Sequence, residues 1–176
     1  MALNRIYTKV AGVFYPLLVL SLLVGCTVSY KFTGASIDYT KVKTVSFAQF
    51  QNRAAYQWAP MATMFNEAIS DMFVQQTKLQ QVPRGGDLHF EGEITAYDQL
   101  NKSISADGYS AMVQLKMTVN VRFTNSTNHD EDFERTFTAT RDFDATQSLD
   151  SVQEELVNQM IKEIVESIFN AAVANW

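Results

Sequence analysis

Residues Tyr109–Thr124 read YSAMVQLKMTVNVRFT, and this stretch decides the fold. Tyr109, Ala111, Val113, Leu115, Met117, Val119, Val121 and Phe123 fall at every second position. Ser110, Met112, Gln114, Lys116, Thr118, Asn120, Arg122 and Thr124 fill the places between them. A period of two is that of a strand with one face buried and one wet. At ~3.3 Å per residue, Tyr109 to Phe123 makes a strand of about 50 Å. A strand of that length needs neighbours on both sides.

Upstream, Leu88, Phe90, Gly92, Ile94 and Ala96 alternate with His89, Glu91, Glu93, Thr95 and Tyr97, predicting a second strand with the first set buried. Asp107-Gly108 between the two is a strong hairpin signal. Downstream, the polar turn Asn125–Asp132 (NSTNHDED) leads into Phe133, Phe137, Ala139 and Phe143, which mark a returning strand. Short turns between long strands predict an antiparallel meander.

Two helices flank this meander. Pro60 suits the first turn of a helix, and Met61, Met64, Phe65, Ala68, Ile69, Met72 and Phe73 follow at three- and four-residue steps. Ser151 and Glu154 stand at capping-box spacing, ahead of a stripe made by Val152, Leu156, Val157, Met160, Ile161, Ile164, Val165, Ile168 and Phe169. Val42–Phe50 (VKTVSFAQF) is rich in strand formers and supplies the first strand, and Gln51–Ala59 reads as a connection. The order β-α-β-β-β-α gives an α+β fold. It is a two-layer sandwich with two helices packed on one face of a four-stranded, mainly antiparallel sheet.

The N-terminus carries a different message. Asn4, Arg5 and Lys9 precede an uncharged apolar run from Val10 to Val24, the layout of a secretory signal. That run is shorter than the roughly 20 residues of a membrane-spanning helix. Leu23, Val24 and Gly25 lead into Cys26, the single cysteine of the chain, in the pattern of a bacterial lipobox. The pattern implies cleavage before Cys26 and acylation of its sulfur and of the new N-terminus. A single fatty chain holds a protein only marginally, whereas two or three anchor it. The expected organisation is a signal peptide at 1–25, a lipidated N-terminus and tether at 26–40, and one domain at 41–176. Cleavage removes Arg5 and Lys9 and no acid, which leaves 12 basic against 19 acidic side chains, or −7. An acidic body argues against nucleic acid as a partner. With one cysteine, stability rests on the core, and 47% hydrophobic residues can supply one.

Candidate chemistry is sparse. His89, Glu91 and Glu93 share one strand face, but a spacing of about 6.6 Å per two residues exceeds what neighbouring metal ligands usually allow. They are expected to form a solvated face. His129 lies in a turn with no evident catalytic partner. Gly85-Gly86 precedes a strand and not a helix, so it reads as a turn and not a phosphate cradle. No nucleophile elbow or cysteine-based metal spacing occurs, and neither a cofactor nor an enzyme activity is expected. The polar face of the long strand, with Gln114, Lys116, Thr118, Asn120 and Arg122, stands out because the helices cannot also cover it. It either meets water or fits a hydrophilic partner, and Lys116 and Arg122 would suit phosphates or sugar acids.

The segments CTVSYKFTGASI (Cys26–Ile37), VKTVSFAQFQNRA (Val42–Ala54), MFNEAISDMFVQQTKLQQV (Met64–Val82), GGDLHFEGEITAYD (Gly85–Asp98) and IFNAAVANW (Ile168–Trp176) resemble the Bacteroidetes-type LptE family of lipopolysaccharide-assembly lipoproteins. The resemblance implies a two-helix, four-strand sandwich and a lipoprotein of the outer membrane. It further implies that the domain plugs the LptD β-barrel from the periplasmic side, helps it assemble, and takes part in delivering lipopolysaccharide to the cell surface. Lipid attachment falls on Cys26. Charge and position alone nominate Lys102, Lys116 and Arg122 as contacts to lipopolysaccharide or to the barrel. An alternative is an auxiliary lipoprotein of another envelope lipid or ABC transport system.

Overall fold

The computed structural model describes residues 37–104 and 110–173. The lipobox cysteine Cys26, the signal segment and the Asp107-Gly108 turn lie outside the described residues. In chain order the elements are β1 (Thr44–Phe47), β2 (Gln51–Asn52), α1 (Pro60–Gln76), β3 (Gln80–Gln81), β4 (Leu88–Ile104), β5 (Ser110–Asn125), a 3-10 turn at His129–Glu131, β6 (Phe133–Asp144) and α2 (Leu149–Val173).

β5 is the centre of the sheet, as its alternation requires. Leu115, Met117, Val119, Val121 and Phe123 are buried, and the residues between them face away from the helices. β4 and β6 pair with it on either side, both antiparallel, with Phe90 and Phe133 each opposite Phe123. α1 buries Met61, Phe65, Ile69 and Phe73, one residue per turn. α2 buries a wider stripe from Gln153 to Val173. Phe47, Phe73, Phe90 and Phe123 form a continuous chain of rings with centroids 4.8 to 5.4 Å apart. A fully buried large apolar side chain contributes roughly 1.5–3 kcal/mol, so this cluster holds the two layers together.

Three expectations need correction. Among the described residues the sheet has six strands and is mixed, not four strands and mainly antiparallel. β1 runs parallel to β4, β3 parallel to β1, and β2 parallel to β4. A parallel neighbour needs a crossover, which α1 provides. The two-residue strands β2 and β3 are too short to carry a period, and Val42–Phe50 narrows to Thr44–Phe47. Second, Tyr97 faces the core at 1% exposure instead of the wet side, and Ala96 pairs with Thr118 on the outer face. The register shifts between Ile94 and Ala96, so Thr95 is the extra residue of a bulge and the phase of the strand inverts beyond it. Third, α2 begins at Leu149, two residues before Ser151, whose hydroxyl donates to the Ser148 carbonyl (2.7 Å) within the first turn.

The Gly85-Gly86 turn follows from local geometry. Gly85 has φ of +67°, the left-handed region that favours glycine. A Cβ on Gly86 would meet Ser46 N at 2.6 Å. The chain can therefore pass close under β1 before starting β4.

Candidate functional site

Among the described residues both helices sit on one side of the sheet, and neither covers the opposite face of β4, β5 and β6. β5 contributes Gln114, Lys116, Thr118, Asn120 and Arg122, as the sequence predicts. Register sets their neighbours. Gln114 lies between Leu100 and Asp142, Lys116 between Asp98 and Thr140, Thr118 between Ala96 and Thr138, Asn120 between Glu93 and Thr136, and Arg122 between Glu91 and Glu134.

These cross-strand triplets are knitted by side chains. Gln114 Nε2 donates to Asp142 (3.1 Å), the Thr118 and Thr138 hydroxyls share a hydrogen bond (3.2 Å), and Asn120 Nδ2 donates to Glu134 (3.2 Å). Arg122 spans all three strands, with Nη1 3.1 Å from Glu91 and Nη2 3.0 Å from Glu134. Hydrogen bonding to Glu134 raises the Arg122 pKa further, and the same bond lowers that of Glu134. The guanidinium nominated from sequence for binding an anion is thus already engaged by two carboxylates. Lys116 makes no ion pair with a described residue. Six residues along one strand separate it from Arg122, about 20 Å. Lys102 falls in β4 at a second irregularity, between the pairs Asn101–Val113 and Ser103–Met112. The three nominated residues therefore do not share one register position. Glu91, Glu93, Asp98, Glu134 and Asp142 outnumber the two bases, so the face is acidic and hydrogen-bonding in character.

The two histidines are occupied structurally. His89 Nδ1 lies 2.8 Å from the Ser46 hydroxyl, which also accepts from the Gly86 N–H at 3.1 Å. Ser46 is fully buried and His89 partly so, and this serine-histidine pair ties β1 to β4. His129 Nδ1 sits 2.9 Å from Asp132 in the turn before β6. Among the described residues no three His, Cys, Asp or Glu side chains converge as metal ligands would. No helix among them is long and apolar enough to cross a membrane.

Two features escape sequence reading. Asp87 closes the parallel β1–β4 joint: its carboxylate accepts from the Lys43 and Thr44 N–H groups and the Thr44 hydroxyl at 2.8 to 2.9 Å. The bond from Lys43 leads in holding its pKa below the ordinary carboxylate range. At the other end, the Tyr97 hydroxyl accepts from Gln153 Nε2 at 3.0 Å inside the core. Burial pushes its pKa up to about 12, which keeps the phenol neutral. The only signal for Tyr97 is its three-residue step from Ile94, which breaks the period of two.

Comparison with known proteins bears on this arrangement. The family model for lipopolysaccharide-assembly proteins, LptE, matches residues 42–172. No curated individual protein matches the sequence. Among solved structures, a hypothetical protein from Chlamydia trachomatis superposes with a TM-score of 0.54 at 13% identity, covering 76% of this chain and 99% of its own. Rare lipoprotein B from Shewanella oneidensis gives 0.54 at 13% identity, covering 73% and 92%. An uncharacterized lipoprotein B from Nitrosomonas europaea gives 0.50 at 16% identity, covering 73% and 80%. At these identities the likeness is one of fold. The match over 42–172 takes in the six described strands, α1 and all but the last residue of α2, and by it the chain belongs to the LptE family of lipopolysaccharide-assembly proteins.

Proposed function

We propose that this chain is a non-enzymatic lipoprotein of the outer membrane, anchored by acyl chains on Cys26. It plugs and helps assemble the LptD β-barrel and takes part in moving lipopolysaccharide to the cell surface. The observation that carries this reading, given the family, is the hydrophilic face of β4, β5 and β6, uncovered by either helix and braced across three strands by Arg122. Large outer-membrane barrels enclose polar, water-filled lumens. A rigid sheet presenting threonine, asparagine, glutamine and carboxylates suits such a wall by hydrogen bonding.

Lipopolysaccharide is anionic, and the acidic excess on this face restricts its contacts to local basic points. Lys116 is the best placed of these, and Lys102 is the second candidate. Arg122 acts first as the brace of the face and only second as a ligand. Exchanging both Lys116 and Arg122 for Glu should weaken lipopolysaccharide binding by the purified protein, and unchanged binding would remove both from the role.

The reading itself is tested by gentle detergent extraction and capture of the C-terminally tagged chain. An equimolar large β-barrel, whose recovery depends on Cys26 and on an intact fold, supports it. Recovery with a transporter ATPase and permease would replace it with an auxiliary role in another lipid transport system.

A further inference from the structure

We propose that the corner of the domain at which β1 begins rests on the anionic phospholipid headgroups of the membrane that holds the anchor, through Lys41, Lys43 and Lys78. The inference rests on the acylated Cys26 of the functional reading above and not on the barrel. Its first ground is how the fold gathers these lysines. A turn in which the Lys41 and Val42 N–H groups donate to the Asp38 carbonyl leads the chain into β1. β3 joins β1 in parallel, with the Gln80 N–H donating to the Lys43 carbonyl, so Lys78, two residues past α1, arrives beside the same turn. Its Nζ lies 6.0 Å from the centre of the Tyr39 ring. All three lysines are exposed, Lys41 with 72% of its side chain open. They precede β1 or follow α1, off the face of β4, β5 and β6 that the functional reading gives to the barrel.

The second ground is charge. Two carboxylates share the corner, and both are turned to local partners. Asp38 accepts from the Thr40 N–H (3.0 Å) and hydroxyl (2.5 Å), and Asp87 from the Lys43 and Thr44 N–H groups and the Thr44 hydroxyl. Lys41 reaches Asp38 at 3.7 Å, an exposed pair of the kind that is weak in water. The surroundings are acidic. Exposed positions of α2 carry Asp150, Glu154, Glu155, Glu163 and Glu166 against Lys162, with Glu163 bound to Arg141. Across a cavity of about 400 Å³ that Asp38, Lys41 and Glu131 help to line, the 3-10 turn adds Asp130 and Glu131. An anionic surface therefore attracts this corner and repels the helix layer, which sets a tilt.

The third ground is the position of the anchor in the chain, which selects the occupant. Ile37 follows Cys26 by eleven positions, at most about 40 Å of extended chain. The corner that begins at Ile37 therefore stays close to the acylated residue, and a tether of this length makes the second contact effectively intramolecular. Attraction of lysines to anionic lipid fades within a Debye length, so it needs that proximity. Lysine ammoniums are point charges on flexible stems and ask no fixed geometry of a phosphate, which suits a fluid surface. The Arg122 guanidinium, by contrast, is committed to two carboxylates.

Reductive methylation of the full-length lipoprotein tests this, in vesicles of phosphatidylcholine alone or of phosphatidylcholine with phosphatidylglycerol at about two to one. Lys41, Lys43 and Lys78 should react about fivefold or more slowly on the anionic vesicles. Salt at about 1 M, where the Debye length is about 3 Å, should abolish the difference. Lys162 on α2 serves as the reference and should react alike on both. Lys41→Gln with Lys43→Gln changes only exposed side chains, so thermal unfolding should stay near that of the parent. In that double variant Lys78 should lose its protection on the anionic vesicles. Equal reaction of the three lysines on the two surfaces would overturn the proposal, as would a slowing that Lys162 shares. Protection of Lys78 that persists in the double variant would also overturn it. A chain that stays with neither kind of vesicle would overturn the anchor, and this inference with it, whereas barrel capture from native membranes reads the functional proposal separately.

Discussion

The two faces of β5 share one backbone and obey different physics. Leu115, Met117, Val119 and Val121 are fully buried on the helix side, while Gln114, Lys116, Thr118, Asn120 and Arg122 alternate with them on the other. Stability is concentrated on the first face, because transfer of apolar surface from water scales with the area removed. The second face is held by exposed hydrogen bonds and ion pairs, which contribute little in water. The outer residues can therefore be chosen for a partner at small cost to folding. Substitutions on the inner face should act through stability and those on the outer face through binding.

The largest effect is expected from Phe90→Ala, which breaks the ring chain between Phe73 and Phe123. Loss of a buried phenylalanine costs about 3–5 kcal/mol, to be read from the denaturant midpoint. Gly92→Ala should rank next. A Cβ there would run into the Asn120 carbonyl oxygen and meet the Phe50 ring at 2.7 Å, and overpacking of this kind costs about 1–3 kcal/mol. Tyr97→Phe tests the bulge: it leaves the buried Gln153 amide without its acceptor, costing about 1–3 kcal/mol. Adding Gln153→Leu should recover part of that loss. If Tyr97 lay on the wet face, both changes would be near neutral.

Asp87 gives a pH signature. Its pKa is lowered on folding, chiefly by the Lys43 N–H bond, so its contribution is complete above the unfolded carboxylate value. That contribution disappears as the pH falls from about 4 through the lower folded value. Unfolding curves at successive pH values should show the loss in the parent and a shallower dependence in Asp87→Asn. The smallest effect belongs to Arg122→Gln, whose exposed pairs with Glu91 and Glu134 are worth under about 1 kcal/mol. A much larger loss would show that the outer face also carries folding energy, and would blur the contrast.

Much of this was legible in the sequence because burial repeats. The alternation of β5, the Met61–Phe73 face of α1 and the Val152–Phe169 stripe of α2 each repeat for long enough to fix type and orientation. What escaped has no period. β2 and β3 are two residues each, strand direction leaves no mark in hydropathy, and a single extra residue at Thr95 inverts the face of Tyr97. The outer face was predicted as polar, but its electrostatics were not. Whether Arg122 is a free cation or a brace depends on Glu91 and Glu134, 31 and 12 residues away along the chain, arriving at its register position. That depends on pairing, which composition does not report.

The division between faces can be tested in one measurement at the middle of the outer surface, where Thr118 and Thr138 meet. Exchange of Thr118 for arginine and of Thr138 for glutamate replaces no buried side chain and sets opposite charges across the pair, and surface changes of this kind usually shift stability by no more than about 0.5 kcal/mol. The tagged double variant should unfold like the parent yet recover little barrel from gently solubilised membranes. Full barrel recovery with arginine and glutamate at the centre of the face would contradict the claim that this surface is the one the barrel wall meets.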